Sequence, residues 1–326
     1  IKNTHQENQL TYSVVGFGSK DYRYFCAFAD KVDKLLNDST NLMRILTTYK
    51  INNSNPDEFL KWVKQWQWVM NISLDLKPLR ISKKSIKKLR FRVIERSPLN
   101  QDQTFLLKLK PFKAHKFSSG DLFAIIPPGC KRARQYSIAK LGDEIVLSIK
   151  RHRYGKCSNF LLELKPGDEV KGYLESNPNF HFPKNPKSAV LIANGTGIGP
   201  FLGMTKENNT VPIHLLWGGR TVHSGNMYND LLLKTNHNSQ DGKLHNLNVY
   251  RCFSRENYCQ RYVQDLVKEQ AELIVENFKN EGVCMICGSI AMQNEVLHEI
   301  DRILKEKSDI SLDTIQEKGL LKMDCY

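Results

Sequence analysis

The chain has 326 residues, 40% of them hydrophobic and 25% charged, the proportions of a globular protein with room for two or three domains. Its 48 lysines and arginines against 34 acidic residues leave a formal net charge of +14, which favours an acidic or polyanionic partner over a basic one. No apolar run approaches the ~20 residues of a membrane span, and the eight cysteines are scattered rather than gathered into a disulfide framework, which predicts reduced thiols and a cytoplasmic setting. The sequence opens on Ile1 without a signal-peptide pattern and reads as a piece of something longer, with any membrane anchor expected only upstream.

In chain order, Tyr12 to Val15 reads as a strand and Gly16 to Tyr22 as a turn. Phe25 to Leu36 reads as an amphipathic helix with Phe25, Phe28, Ala29, Val32, Leu35 and Leu36 on one face. A strand near Ile45 to Ile51 follows. The next helix has Asn55 as its cap, Pro56 at its first position, and Phe59, Trp62, Val63 and Trp66 inside. Trp62, Trp66 and Trp68 are expected in a core or interface. Together these elements form the closing half of a doubly wound α/β domain, residues 1–70. Residues 71–88 are polar and lysine-rich and read as a linker. The densest basic cluster runs from Lys83 to Arg92, with no nucleic-acid-binding module around it.

Residues 89–185 change character. Short strands at Leu89–Glu95, Thr104–Leu109, Leu122–Ile126, Arg134–Ile138 and Ile145–Lys150, separated by turns such as Pro127-Pro128-Gly129, predict a small antiparallel barrel. One helix, Ser158 to Leu164, interrupts it. Residues 186–326 alternate strand and helix, with strands at Ala189–Ala193, Ile213–Gly218, Leu247–Phe253 and Val283–Cys287 and a periodic helix at Ala291–Lys305, the pattern of a parallel nucleotide-binding sheet.

The stretch from Ser188 to Met204 organises this last part. A buried strand closes on Gly195-Thr196-Gly197-Ile198-Gly199-Pro200 and opens a helix. The glycines let the chain turn sharply and let a ligand approach the backbone, and the helix start aims free N–H groups at phosphate. Cys284 and Cys287 have redox-motif spacing but lie in an apolar strand, and no second pair completes a zinc site; no metal is expected.

On the strand Arg132 to Ser137, alternation puts Arg134 and Tyr136 on one face and Gln135 and Ser137 on the other, so a bend is needed for Tyr136 and Ser137 to meet one ligand. Arginine supplies a planar fork for phosphate, tyrosine a flat face and a hydroxyl, and serine a hydrogen bond. The order Arg134-x-Tyr136-Ser137, Gly155-Lys156-Cys157-Ser158, Gly195 to Phe201, Ser254-Arg255-Glu256, Cys287-Gly288 and a terminal aromatic resembles the ferredoxin–NADP reductase superfamily. It is most similar to the diflavin branch. Gly16-Phe17-Gly18 with Tyr22 resembles a flavin-contacting loop of a flavodoxin-like FMN domain.

The resemblance implies three parts: a partial flavodoxin-like segment, an antiparallel β-barrel that binds FAD, and an α/β domain that binds NADPH. Arg134 is then expected on the FAD pyrophosphate, Tyr136 against the isoalloxazine and Ser137 near its N5. Gly155, Cys157 and Ser158 hold flavin phosphate through backbone N–H groups. Gly195, Thr196, Gly197 and Arg220 take the NADPH pyrophosphate. Ser254 and Arg255 take the 2′-phosphate, with Tyr262 on the adenine and Gln264 beside it. Gly18 and Tyr22 belong to the FMN loop. Cys287 is expected beside the nicotinamide, and Tyr326 over the flavin. Ser137, Cys287, Asp324 and Tyr326 thus form the catalytic set, acting by position and polar contact.

The implied activity is hydride transfer from NADPH to FAD, then passage of single electrons through FMN to an acidic acceptor such as a haem protein or a flavodoxin. FMN is expected in the longer protein but not held by residues 1–70, which lack the first phosphate loop. A sulfite reductase flavoprotein, which would serve a haem subunit, and a simple ferredoxin or flavodoxin reductase share these motifs. A basic polyanion-binding protein is the non-enzymatic alternative. Three departures stand out: Gly199 replaces a usual alanine, Ser289 a usual aspartate and Gln260 a usual lysine beside Arg261.

Overall fold

The computed structural model describes residues 10–20, 24–52, 55–76, 88–208, 210–233, 246–256 and 260–326. The chain divides into two compact units, Ile1–Ser85 and Ile86–Tyr326.

The first unit alternates strand and helix: β1 (Leu10–Gly18), α1 (Ala27–Asn37), β2 (Leu42–Asn52) and α2 (Pro56–Met70). The strands pair in parallel, Leu10 against Leu42 and Gly18 against Asn52. Asn55 caps α2, its side chain accepting from the backbone N–H of Asp57 at 2.9 Å and Glu58 at 3.4 Å. The expected apolar face of α1 is only partly used. Ala29 and Asp33 are buried against the strands, Asp33 in an ion pair with Arg44 at 2.8 Å, whereas Phe28 and Leu35 are 79% and 71% exposed. Two strands cover only the middle of a stripe this wide. Trp68, expected in a core, is likewise exposed, and Trp62 and Trp66 are half-buried.

In the second unit, seven antiparallel strands form a nearly closed barrel. They are β3 (Leu89–Arg96), β4 (Thr104–Pro111), β5 (Leu122–Ile125), β6 (Arg134–Ser137), β7 (Ala139–Leu141), β8 (Glu144–Lys150) and β9 (Glu169–Glu175), in the order β6-β5-β9-β3-β4-β8-β7. Two of these, β7 and β9, are not evident in the sequence pattern. α3 (Lys156–Glu163) plugs the barrel with Cys157 and Leu161, beginning two residues earlier than its apolar periodicity indicates. Phe91, Phe105 and Phe123 fill the interior, with Phe91 edge-on to Phe123 at 5.0 Å.

The α/β part holds five parallel strands in the order β12-β11-β10-β13-β14: β10 (Ala189–Asn194), β11 (Ile213–Gly219), β12 (Leu247–Phe253), β13 (Val283–Gly288) and β14 (Leu321–Cys325). β10 lies at the centre and its first five residues are fully buried, as a strand covered on both faces requires. Helices α4 (Gly199–Glu207) and α5 (Asn226–Leu233) belong to one face. α6 (Val263–Glu269), α7 (Ala271–Lys279), α8 (Ile290–Lys307) and α9 (Leu312–Glu317) belong to the other. The core on the α4 face continues into the barrel through Ala139, Val146 and Phe180. Among the described residues no helix is long and apolar enough to cross a membrane, and no cluster is placed to hold a metal ion.

Candidate active site

β10 ends at Asn194, and Gly195–Ile198 form a single tight 3-10 turn before α4. Gly195 sits at φ +52°, the left-handed region that glycine tolerates best, and its carbonyl accepts the indole N–H of Trp217 at 3.0 Å. Gly197 has a different reason to be glycine. A Cβ there would collide with the backbone of Cys287 and Gly288 at the end of β13. That glycine therefore lets two backbones meet, not a ligand approach as the glycine run implied.

Sheet order reverses between β11 and β13 on either side of β10, and crevices at such points open at the strands' carboxyl ends. A cleft of about 720 Å³ lies there, bounded by Asn194, Gly195, Thr196, Gly218, Gly219 and Gly288. Arg220, Ser254, Tyr262 and Gln264, all expected to contact a nucleotide, also line it. Arg255 is exposed outside the lining, and its backbone N–H donates to the Arg220 carbonyl at 2.8 Å. Arg261 lines the cleft in place of the missing lysine and is ion-paired with Glu269.

The barrel contributes residues that the motifs do not announce. Lys150, at the end of β8, and its register partner Thr104 on β4 both line the cleft. Burial, then Arg220 and Arg255, push the Lys150 pKa below its usual value, against the pull of Asp102. Among the described residues none of Lys150, Arg220 and Arg255 is in an ion pair, so three cations share one field. Alternation along Glu144–Lys150 offers a sequence signal, since it puts Ser148 and Lys150 on the same face of the strand. Ser148 uses that face to hydrogen-bond the hydroxyl of Tyr228 on α5 at 2.8 Å.

Arg134 is exposed at the start of β6. Tyr136 packs against the barrel core and hydrogen-bonds Cys157, and burial raises the pKa of both groups. Gly155 begins α3 without a side-chain cap. The Ser158 hydroxyl is committed to its own loop, accepting from His152 N–H at 3.1 Å and donating to the Gly155 carbonyl at 3.2 Å.

The last strand joins these halves. β14 pairs with β13 so that Asp324 lies opposite Cys287 and Cys325 opposite Gly288. The Ser137 hydroxyl donates to Asp324 Oδ2 at 2.6 Å. Tyr326 N–H donates to the Gly288 carbonyl at 3.0 Å, and its hydroxyl lies 3.3 Å from that of Thr196. Ser137, Cys287, Asp324 and Tyr326 thus meet where β6 reaches the sheet. Burial raises the Asp324 pKa, and the Ser137 hydrogen bond partly offsets this. Cys287 is fully buried, and burial with Asp324 beside it lifts its thiol well above the usual range, so it stays neutral. Cys284 packs on the opposite face of the sheet from Cys287, which excludes the dithiol that their spacing allows. Gly18, in the first unit, packs against Cys26, and Tyr22 lies outside the described residues.

Residues 191–298 match the family model described as an oxidoreductase NAD-binding domain. A mutant ferredoxin–NADP+ reductase from Plasmodium falciparum superposes with a TM-score of 0.60 at 22% identity, covering 73% of this chain and 96% of that one. The chain also matches inducible nitric oxide synthase of Canis lupus familiaris, 27% identical over 67% of this chain and 21% of the relative. Residues 191–298 thus carry an oxidoreductase NAD-binding domain, and the barrel and sheet together have the fold of the ferredoxin–NADP reductases. Nitric oxide synthase 3 of Sus scrofa is 30% identical over 49% of the chain and 14% of the relative, so the chain spans about a fifth or less of the length of these curated relatives.

Two departures from the superfamily's usual residues find a physical setting here. At Gly199 a Cβ would come no closer than 3.5 Å to the Ser137 carbonyl, so glycine and alanine fit equally. Ser289 serves as the N-cap of α8, accepting from the backbone N–H of Met292 at 3.3 Å. It also locks to Asn194: its N–H donates to Asn194 Oδ1 at 3.1 Å, and its hydroxyl accepts from Asn194 Nδ2 at 3.2 Å. That pairing ties the ends of β10 and β13 together at the floor of the cleft.

Proposed function

We propose that the chain is an NADPH-dependent flavoprotein reductase that binds FAD on the barrel and NADPH in the cleft, and that it passes electrons onward to an acidic haem-protein-type acceptor. The observation that carries this reading is the Ser137–Asp324 hydrogen bond at 2.6 Å, with Cys287 opposite Asp324 in register. It sets a polar, half-buried corner where the barrel's expected flavin strand meets the nucleotide cleft.

The residues present fit both groups. On the barrel, exposed Arg134 and the uncapped start of α3 offer charge and N–H groups for pyrophosphate, and Tyr136 offers a ring. Lys150 and Arg220 in the cleft, with Arg255 beside it, create a field for phosphate, and Tyr262 is 52% exposed at its rim for a base to stack on. The P. falciparum reductase has been solved with 2′P-AMP, which supports a 2′-phosphorylated nucleotide here. FAD and NADPH supply the hydride chemistry when bound. This chain's own groups orient them: Ser137 and Asp324 fix each other, neutral Cys287 packs under the sheet beside Asp324 without adding charge, and Tyr326 stands at the corner. The β–α–β–α order of the first unit supports reading it as part of a flavodoxin-like FMN domain, the relay before a haem acceptor. The net charge of +14 favours an acidic acceptor.

The test is an absorbance spectrum of the purified chain after FAD reconstitution, followed by anaerobic NADPH and, separately, NADH. Bound flavin that bleaches with NADPH faster than with NADH, with the difference lost in Arg255→Ala, supports the reading. A chain that takes up no FAD overturns it.

A further inference from the structure

Two carboxylates, Asp102 and Glu295, line a cleft otherwise suited to phosphate, and Asp102 is the one placed against its cations. It lies in the turn between β3 and β4, two residues before Thr104, the register partner of Lys150. The Asp102 carboxylate accepts the hydroxyl proton of Ser224, which is 7% exposed. The Ser224 oxygen in turn accepts the backbone N–H of Thr221 at 2.9 Å, so its proton is directed at Asp102. The barrel's one acid in this turn is therefore anchored across the cleft to the helical turn that follows β11, not free to swing into solvent. From there it supports the charge of Lys150, against burial, Arg220 and Arg255.

We propose that Asp102 is an internal counter-anion of the nucleotide cleft. It balances Lys150 while the cleft is empty and opposes the ligand's phosphates once they enter, so it weakens nucleotide binding and hastens release. This rests on the reading that the cleft takes NADPH. The physical reason is that two charges lining the same partly buried cleft interact more strongly than they would across water. A phosphate arriving at Lys150 must share it with Asp102. In enzymes of this kind release of the spent nucleotide can limit turnover, so a built-in opponent of tight binding has a use. The rival role for a cleft carboxylate is to accept a ribose hydroxyl, and it predicts the opposite sign.

The test uses the whole flavin-loaded chain with NADP+ and, separately, inorganic pyrophosphate as probes, by titration calorimetry at low and high salt. Asp102→Asn keeps an acceptor for Ser224 and removes only the charge. It is expected to tighten both probes by about three- to tenfold at low salt, with a smaller gain at high salt, and to slow NADP+ dissociation in stopped flow. Should Asp102→Asn lower the melting temperature, Asp102→Ser, also uncharged, is expected to give the same sign. Equal or weaker binding of NADP+ by the variants overturns the inference and leaves the nucleotide reading standing. Tighter pyrophosphate binding by a variant, with NADP+ bound by neither protein, overturns the nucleotide reading and supports the counter-anion. Binding of neither probe by either protein overturns both.

Discussion

Ser137 and Asp324, 187 positions apart in the chain, share a hydrogen bond of 2.6 Å. It joins a barrel strand to the last strand of the parallel sheet. Its short length suits a hydroxyl donating to a carboxylate, among the stronger hydrogen bonds a protein makes. Removing the hydroxyl leaves a half-buried carboxylate without its donor. Ser137→Ala is therefore expected to slow flavin reduction by NADPH about ten- to a hundredfold, through misplacement of the reacting groups. Stopped-flow absorbance under anaerobic conditions measures this. An unchanged rate would remove Ser137 from the catalytic set.

Asp324 has a stability signature of its own. Burial raises its pKa, so the folded chain binds this proton more tightly than the unfolded chain does. Its contribution to stability is fully present below the ordinary carboxylate pKa and is lost as pH rises through the raised value. Asp324→Asn removes that loss. At about pH 7 the variant is expected to melt at the same or a higher temperature than the parent, with the difference closing near about pH 4. Thermal unfolding across that range checks the sign, and the same variant should reduce flavin more slowly.

Gly197 and Gly199 separate backbone crowding from glycine content. A Cβ at Gly197 meets the Cys287 backbone, whereas one at Gly199 finds ordinary contacts at 3.5 Å or beyond. Gly197→Ala is expected to cost roughly 1–3 kcal/mol of stability, the usual range for overpacking. Gly199→Ala should be close to neutral. Denaturant unfolding of the pair decides it, and equal losses would contradict the geometry.

Ser289 tests the helix cap at the cleft floor. Its replacement by alanine removes an N-cap from α8 and should cost about 1 kcal/mol. Because the same residue is locked to Asn194, the loss should be accompanied by weaker NADP+ binding in calorimetry. A stability loss without an affinity change would confine Ser289 to capping.

The thiols give a chemical readout. Cys284 is buried with its pKa pushed up to about 12, and Cys287 is buried with a pKa well above normal, while Cys130 is half-exposed. In the native chain at about pH 8, iodoacetamide should label Cys130 well before Cys284 or Cys287, because the thiolate is the reactive form. Peptide mass spectrometry reads the order. A Cys284–Cys287 disulfide in the untreated protein would contradict their placement on opposite faces of the sheet.

Local chemistry made much of this protein legible from its sequence. Asn55 followed by Pro56 marks a helix start because side-chain capping and a fixed φ are local effects, and α2 begins there. The apolar run from Ala189 reads as a strand covered on both faces, and β10 is the central strand. The order of six short motifs was enough to bring the superfamily into view. Tertiary structure decided the rest. β7 and β9 exist through pairing with neighbours, and their short or polar stretches carry little periodicity of their own. β14 forms because Cys284 to Gly288 offer an edge to pair with, and the alternation over Leu321–Cys325 is too short to mark a strand on its own. Packing likewise determined that Gly197 accommodates Cys287, that Lys150 faces the cleft, and that Asp102 is held by Ser224. Each of these joins residues distant in sequence, and the energy of such a contact exists only once the chain has brought them together.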